Sequence, residues 1–185
     1  MQNKTLWVVI GGIVLLLIGS VSSYNGLVNL NENVNGKWSQ IENQLQRRSD
    51  LIPNLVNTVK GYAAHEQSAI QAVADARAKL GGAQGPAAKA AANGELNGAL
   101  SRLLVVAENY PNLKADKNFR QLMDELSGTE NRIAVARKDY NDSVQLYNTK
   151  IRTLPTSIFA GMMGFMPKEY FKADEGAKEV PKVQF

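Results

Sequence analysis

A single histidine, His65, stands directly before Glu66 in the run GYAAHEQSAI. A histidine followed by a glutamate opens the helical zinc-hydrolase pattern, in which a second histidine four residues on completes the metal pair. Position 69 is alanine and the chain holds no other histidine, so the pattern fails. Without a second ligand His65 reads as a surface side chain. The adjacent acids Asp124-Glu125 and Asp174-Glu175 do not form an acid/base pair, because neighbours on a helix point about 100° apart. With zero cysteines, thiolate catalysis, thiolate metal sites and disulfides are excluded together. No serine stands in a spacing that identifies an activating base, and Gly81-Gly82…Gly85 lacks the strand and lysine of a phosphate loop. The sequence thus offers no catalytic residue, no cofactor-binding residue and no metal ligand. It reads as a non-enzymatic chain without a small-molecule substrate.

The polar residues that stand out lie close to apolar stripes. Arg47, Arg48 and Asp50 fall in the first half, and Glu130, Arg132 and Arg137 in the second. The plainer reading is a solvated face with ion pairs four residues apart. The functional reading is a polar network across packed helices, fixing register, or a partner surface.

The elements that position these groups are helical. Residues 6–21, LWVVIGGIVLLLIGSV, carry no charge. At about 1.5 Å per residue, 5–24 covers roughly 30 Å, the thickness of a bilayer core. Trp7 and Tyr24 sit where interfacial aromatics belong, and Lys4 favours a cytoplasmic N-terminus with the bulk of the chain outside the cell. A cleaved signal peptide is the alternative, disfavoured by an apolar run longer than about 15 residues. Gly12, Gly19 and Gly26 recur every seven residues, and Ser23 extends the small-residue face. Ordinary glycine tolerance in spans is the plainer reading; the sharper one is self-association, since such a face lets membrane helices approach closely.

Beyond the span, Leu27, Leu30, Val34, Trp38, Ile41 and Leu45 recur at helical spacing. Pro53, preceded by Asp50, suits a first helical turn, which predicts a kink or restart there. A second helix then ends at Gly81-Gly82. GGAQGPAAKAAANG reads as a loop opening into an alanine-rich helix start, and a third helix stops before Pro111. The fourth runs from Phe119 to Leu154, with Pro155 ending it. Short connections between long helices imply antiparallel neighbours. The expected architecture is all-α: an antiparallel four-helix bundle continuing from an N-terminal transmembrane helix. Its divisions are 1–24 for the span, 25–154 for the bundle and 155–185 for a tail. The tail's IFAGMMGFM, 158–166, is apolar but too short to span, and packs on the bundle or on an interface.

A net charge of +4 without a basic, aromatic-studded stripe argues against nucleic-acid binding. Three blocks carry a resemblance: WSQIENQLQRRSDLIPNLVNTVKGYAAHE (38–66), LSRLLVVAENYPNLKADKNFRQLMDELSGTENRIAVARKDYNDSVQLYNT (100–149) and the closing PKVQF (181–185). On these the chain resembles the bacterial LemA family, with Gln184 where that family usually has an acid. The resemblance implies one N-terminal helix in the bacterial inner membrane, a four-helix bundle and no enzyme activity. It also implies company in magnetosome membranes or beside membrane metalloproteases and stress functions. The functional expectation is a self-associating, homo-oligomeric membrane scaffold in contact with the lipid bilayer. An adaptor of a membrane protease or envelope-stress system is the alternative.

Overall fold

The computed structural model describes residues 2–172, with the side chains of 2–6, 9, 13 and 15–17 outside the described set. Asp174-Glu175 and the closing motif at 181–185 also lie outside it. All described elements are helices, so the all-α expectation holds. They are α1 (Gln2–Tyr62), α2 (Gln67–Gly82), α3 (Gly85–Glu108), α4 (Pro111–Ala115), α5 (Lys117–Arg152) and α6 (Thr156–Ala160). Among the described residues, no helix is long and apolar enough to cross a membrane. Leu6, Val9, Ile13 and Leu15 to Leu17, on which the expected span rests, are among those whose side chains are not described.

Two helix boundaries differ from the sequence expectation. Pro53 does not restart a helix: α1 passes through it and ends at Tyr62. Pro53 is exposed while Ile52, Leu55 and Val59 beside it are buried, so one apolar stripe runs unbroken past the proline. The burial of that stripe outweighs the lost backbone bond. The second difference is the break at 63–66, inside the expected second helix, whereas the alanine-rich helix start expected after GGAQ is found as the beginning of α3. Gly85 takes φ +76, which only glycine adopts without strain, and turns the chain directly into α3. Pro86 in the first turn and the alanines after it then favour helix.

The chain divides into two compact units. One holds the described residues up to Trp38 together with Asp139–Lys168. Leu27, Val34, Val144 and Tyr147 form its interior, each 0–2% exposed. Lys37 Nζ donates to Asp139 Oδ2 at 3.0 Å, and Trp38 packs on Tyr140 with ring centroids 5.4 Å apart. Tyr147, eight residues beyond Asp139, lines one groove with Val28 and Asn31, which precede Lys37, so in this unit the end of α5 runs antiparallel to α1. After Arg152 the chain turns through α6 and ends it with a Schellman motif. Gly164, at φ +78, donates to the Gly161 carbonyl at 3.2 Å, and Phe165 N donates to the Ala160 carbonyl at 3.0 Å. That turn lays Phe165 edge-on against Tyr24, centroids 5.8 Å apart. Asn148 then fixes the exit, accepting from Lys168 N at 2.8 Å and donating to its carbonyl at 2.9 Å.

The other unit holds Ser39–Lys138 and the described residues after Lys168. Its interior comes from Ile41, Leu45, Ile52, Leu55 and Val59 of α1, Val73 and Leu80 of α2, Leu96 and Leu103 of α3, and Leu126 and Ile133 of α5. Each such side chain contributes about 1.5–3 kcal/mol when fully buried. The two-residue link between α2 and α3 makes these an αα-hairpin. The corner between α1 and α2 is clasped by two tyrosines. Tyr62 Oη donates to Asp116 Oδ2 at 2.9 Å, and Tyr110 Oη donates to Glu66 at 3.0 Å.

Candidate functional site

Along α1 every seventh residue faces inward: Leu27, Val34, Ile41, Arg48 and Leu55. Four of the five are apolar and at most 2% exposed. The fifth is a guanidinium, itself only 3% exposed. A charge at a core position is costly unless hydrogen-bonded and paired. Here Arg48 Nη1 donates to Asn93 Oδ1 at 2.7 Å and to the Glu130 carboxylate, while Nη2 donates to Asn97 Oδ1. Asn97 Nδ2 in turn donates to the other Glu130 oxygen at 3.4 Å. Asn93 and Asn97 lie four apart on α3, where one turn brings both amides to the same face. Glu130 lies on α5. One side chain of α1 thereby ties down α3 and α5.

Burial pulls the Arg48 pKa below its ordinary value, and the Glu130 charge pushes back. Arginine stays ionised through such shifts. Its Nε is buried without a hydrogen-bond partner, an uncompensated desolvation of about 1–3 kcal/mol. Glu130 keeps 36% of its side chain exposed and Asn97 is half-buried, so the cluster reaches solvent through these two while Arg48 and Asn93 stay inside. A permanently charged guanidinium held by two amides and an acid supplies neither nucleophile nor general base. A one-turn slip of α3 or α5 would strand a buried charge.

A second polar contact explains how α1 tolerates its proline. Pro53 lacks the N–H that would bond the Ser49 carbonyl one turn back. Arg77 of α2 fills that vacancy, its Nε donating to Ser49 O at 2.9 Å. Arg132 joins α5 to α1 more loosely, donating to Gln44 Oε1 at 3.3 Å and to Thr129 Oγ1 at 3.2 Å. Asp50 accepts from Gln46 on its own helix at 2.8 Å. Arg47 is exposed and Arg137 half-buried, both outside the Arg48 cluster. Of the six polar residues singled out from sequence, the fold brings together Arg48 and Glu130. Asn93 and Asn97 were missed. Their signal was present, because each falls beside Leu96 and Leu100 where an apolar stripe admits two amides.

Asp116 caps α5, its Oδ1 accepting from Phe119 N at 2.9 Å. That backbone bond, with Tyr62 donating to the same carboxylate, holds the Asp116 pKa below its ordinary value. The Tyr62 and Tyr110 hydroxyls are pushed up by donating to carboxylates. His65 is exposed in the turn between α1 and α2, and among the described residues no cluster of acids and histidine has the arrangement of a metal site. An open groove of about 530 Å³ between α1 and α5 is lined by Asn54, Asn57, Asn118 and Gln121 over Leu51 and Leu122. It lacks the enclosed apolar walls of a cofactor pocket.

On the small-residue face, Gly12 and Gly19 are exposed, and Gly26 and Ser23 half-exposed. A Cβ built on Gly12, Gly19 or Gly26 meets nothing within 4 Å. Among the described residues, nothing requires these positions to be glycine for space.

Residues 37–185 match the model of the LemA family. The chain is 31% identical over 175 residues to a magnetosome protein named MamQ from Paramagnetospirillum magneticum, covering 80% of this chain and 64% of that protein. It is 32% identical over 174 residues to the MamQ of Magnetospirillum gryphiswaldense, with the same coverage. A Protein LemA from Metamycoplasma hominis is 25% identical over 159 residues, 84% of this chain and 71% of that one. The chain thus spans 64% of the length of the magnetosome relatives.

Proposed function

The chain belongs to the LemA family, and from that premise we propose a non-enzymatic, membrane-anchored scaffold that self-associates and organises membrane partners. One observation carries this reading. Trp7, Val8, Ile10, Val14, Ile18 and Val21 on the first turns of α1 are 41–74% exposed, in a stretch without a charge. An outward apolar surface of that length is costly in water and favourable in hydrocarbon. The name magnetosome protein, borne by relatives, agrees with a role in an organised cellular structure.

In this reading α1 enters the inner membrane with its N-terminus in the cytoplasm. The segments of α1, α2, α3 and α5 joined through Arg48, Arg77 and the α2–α3 hairpin act as an antiparallel four-helix bundle outside the cell. Gly12, Gly19, Ser23 and Gly26 form the contact between copies within the bilayer. The Arg48 cluster keeps that bundle in one register so that it can present a fixed surface.

Native mass spectrometry of the intact protein in lipid nanodiscs tests the reading. The expected result is a homogeneous oligomer that Gly19→Ile reduces to monomer. Because a side chain at Gly19 meets no intrachain neighbour, the loss would report on association and not on folding. A monomeric wild type overturns self-association. A stoichiometric membrane protease co-purifying from solubilised membranes would replace the scaffold with a protease adaptor.

A further inference from the structure

We propose that the segment 154–166 is a second membrane contact, lying in the headgroup layer beside the foot of α1. The proposal rests on the anchor reading above and adds a surface to it. From Pro155 to Pro167 the chain has no charged residue. Leu154, Ile158, Met162 and Met166 are 59–86% exposed, so the segment turns its largest apolar side chains outward. Two or three such residues occur singly on any surface; four within thirteen residues, on a fixed strap, form a patch.

The occupant follows from where the strap is held. Lys37 meets Asp139, and α5 runs antiparallel to α1 within this unit. Arg152 lies thirteen residues beyond Asp139, and Tyr24 thirteen residues before Lys37. Equal helical rises therefore bring the end of α5 to the level of Tyr24. The Phe165 ring on Tyr24 fixes the strap at that level. Tyr24 is also where about 30 Å of uncharged helix counted from Thr5 runs out, the position of the hydrocarbon boundary. The apolar strap is thus continuous with the anchor's own lipid-facing surface. Exposed Lys150 and Arg152 precede it and half-buried Lys168 follows, placing cations where lipid phosphates lie. An apolar face between basic flanks at the interface is the composition of an in-plane membrane contact. The Schellman turn at Gly164 and the two Asn148 bonds hold the strap preformed, so little ordering entropy opposes insertion.

The absence of native cysteine makes the test direct. Full-length Met162→Cys, Ile158→Cys, Val14→Cys and Arg102→Cys variants are each labelled with a polarity-sensitive fluorophore. They are then placed in nanodiscs of phosphatidylcholine and phosphatidylglycerol carrying shallow or deep nitroxide lipids. Labels at 158 and 162 are expected to shift to the blue and to be quenched mainly by the shallow nitroxide. Label 14 is expected to answer to the deep one, and label 102 to neither. Deep quenching at 14 with aqueous labels at 158 and 162 overturns the strap proposal and leaves the anchor standing. Aqueous labels at all four positions overturn both. A blue shift at 162 without lipid quenching overturns the proposal in favour of a second copy of the chain as the occupant. Ile158→Asp in the Met162→Cys background is expected to return the label to water.

Discussion

The two ends of α1 obey opposite rules. Toward its start, apolar side chains such as Trp7, Val8 and Ile18 face outward at 61–74% exposure, and the helix is smooth and uncharged. Forty residues on, Arg48 sits at 3% exposure in the place of a leucine. In a single aqueous phase both arrangements cost free energy. The first becomes favourable in a hydrocarbon solvent, and the second once neighbouring helices supply the hydrogen bonds that water would. On the anchor reading proposed above, sidedness along one helix marks which stretch looks to lipid and which looks to protein.

The comparison is broken most sharply at Arg48. Arg48→Ala leaves Glu130, Asn93 and Asn97 without their donor, and breaking a buried pair costs about 3–5 kcal/mol. The lower end is expected, because Glu130 is 36% exposed and rehydrates. Urea denaturation of the full-length protein in a mild detergent measures it. Arg48→Met with Glu130→Gln should recover most of that loss.

Leu55→Ala, one heptad further along the same stripe, should cost about 2–5 kcal/mol by leaving a cavity. Val14→Ala, at an exposed position, should leave the same denaturation midpoint unchanged. If both lowered it equally, the contrast between the two ends of α1 would fail.

Arg77→Ala should be milder, about 1–3 kcal/mol, by stranding the Ser49 carbonyl that Pro53 leaves unpaired. The sharper form is a cycle with Pro53→Ala. With an N–H restored at 53, Ser49 regains its helical partner and the Arg77→Ala penalty should shrink. Equal penalties in both backgrounds would show that the two residues are not coupled.

Smallest of all should be Arg47→Met, within about 0.5 kcal/mol, since Arg47 is exposed one residue from the buried guanidinium. The Asp116 cap gives a pH signature of similar modesty. Its folded pKa is depressed, so its stabilisation is present above the unfolded carboxylate value near ~3.9 and is lost as pH falls through the folded one. Asp116→Asn keeps a capping side chain and should flatten the urea midpoint against pH in that acid range.

Much of the fold was legible because helical spacing survives in the apolar residues: the stripes of α1, α3 and α5 appear in the sequence where the structure buries them. Pro53 was misread because a proline's local preference competes with a buried stripe that continues past it to Val59, and Arg77 is twenty-four residues away. The true corner, at Ala63 to Glu66, has neither glycine nor proline within it. It is set by Tyr62 and Tyr110 reaching carboxylates on other segments, which no local pattern announces. Arg48 and Glu130 were singled out as polar, but so were Arg47 and Arg137, which the fold leaves apart.

Sequence alone determined that this chain is helical and that one stretch is long and uncharged. Those properties depend on residue type and on spacing along the chain, which are local. Only the tertiary structure decided which arginine lies inside, which carbonyl it or its neighbour must satisfy, and where α1 stops. Each depends on what a distant segment brings within about 3 Å, the reach of a hydrogen bond.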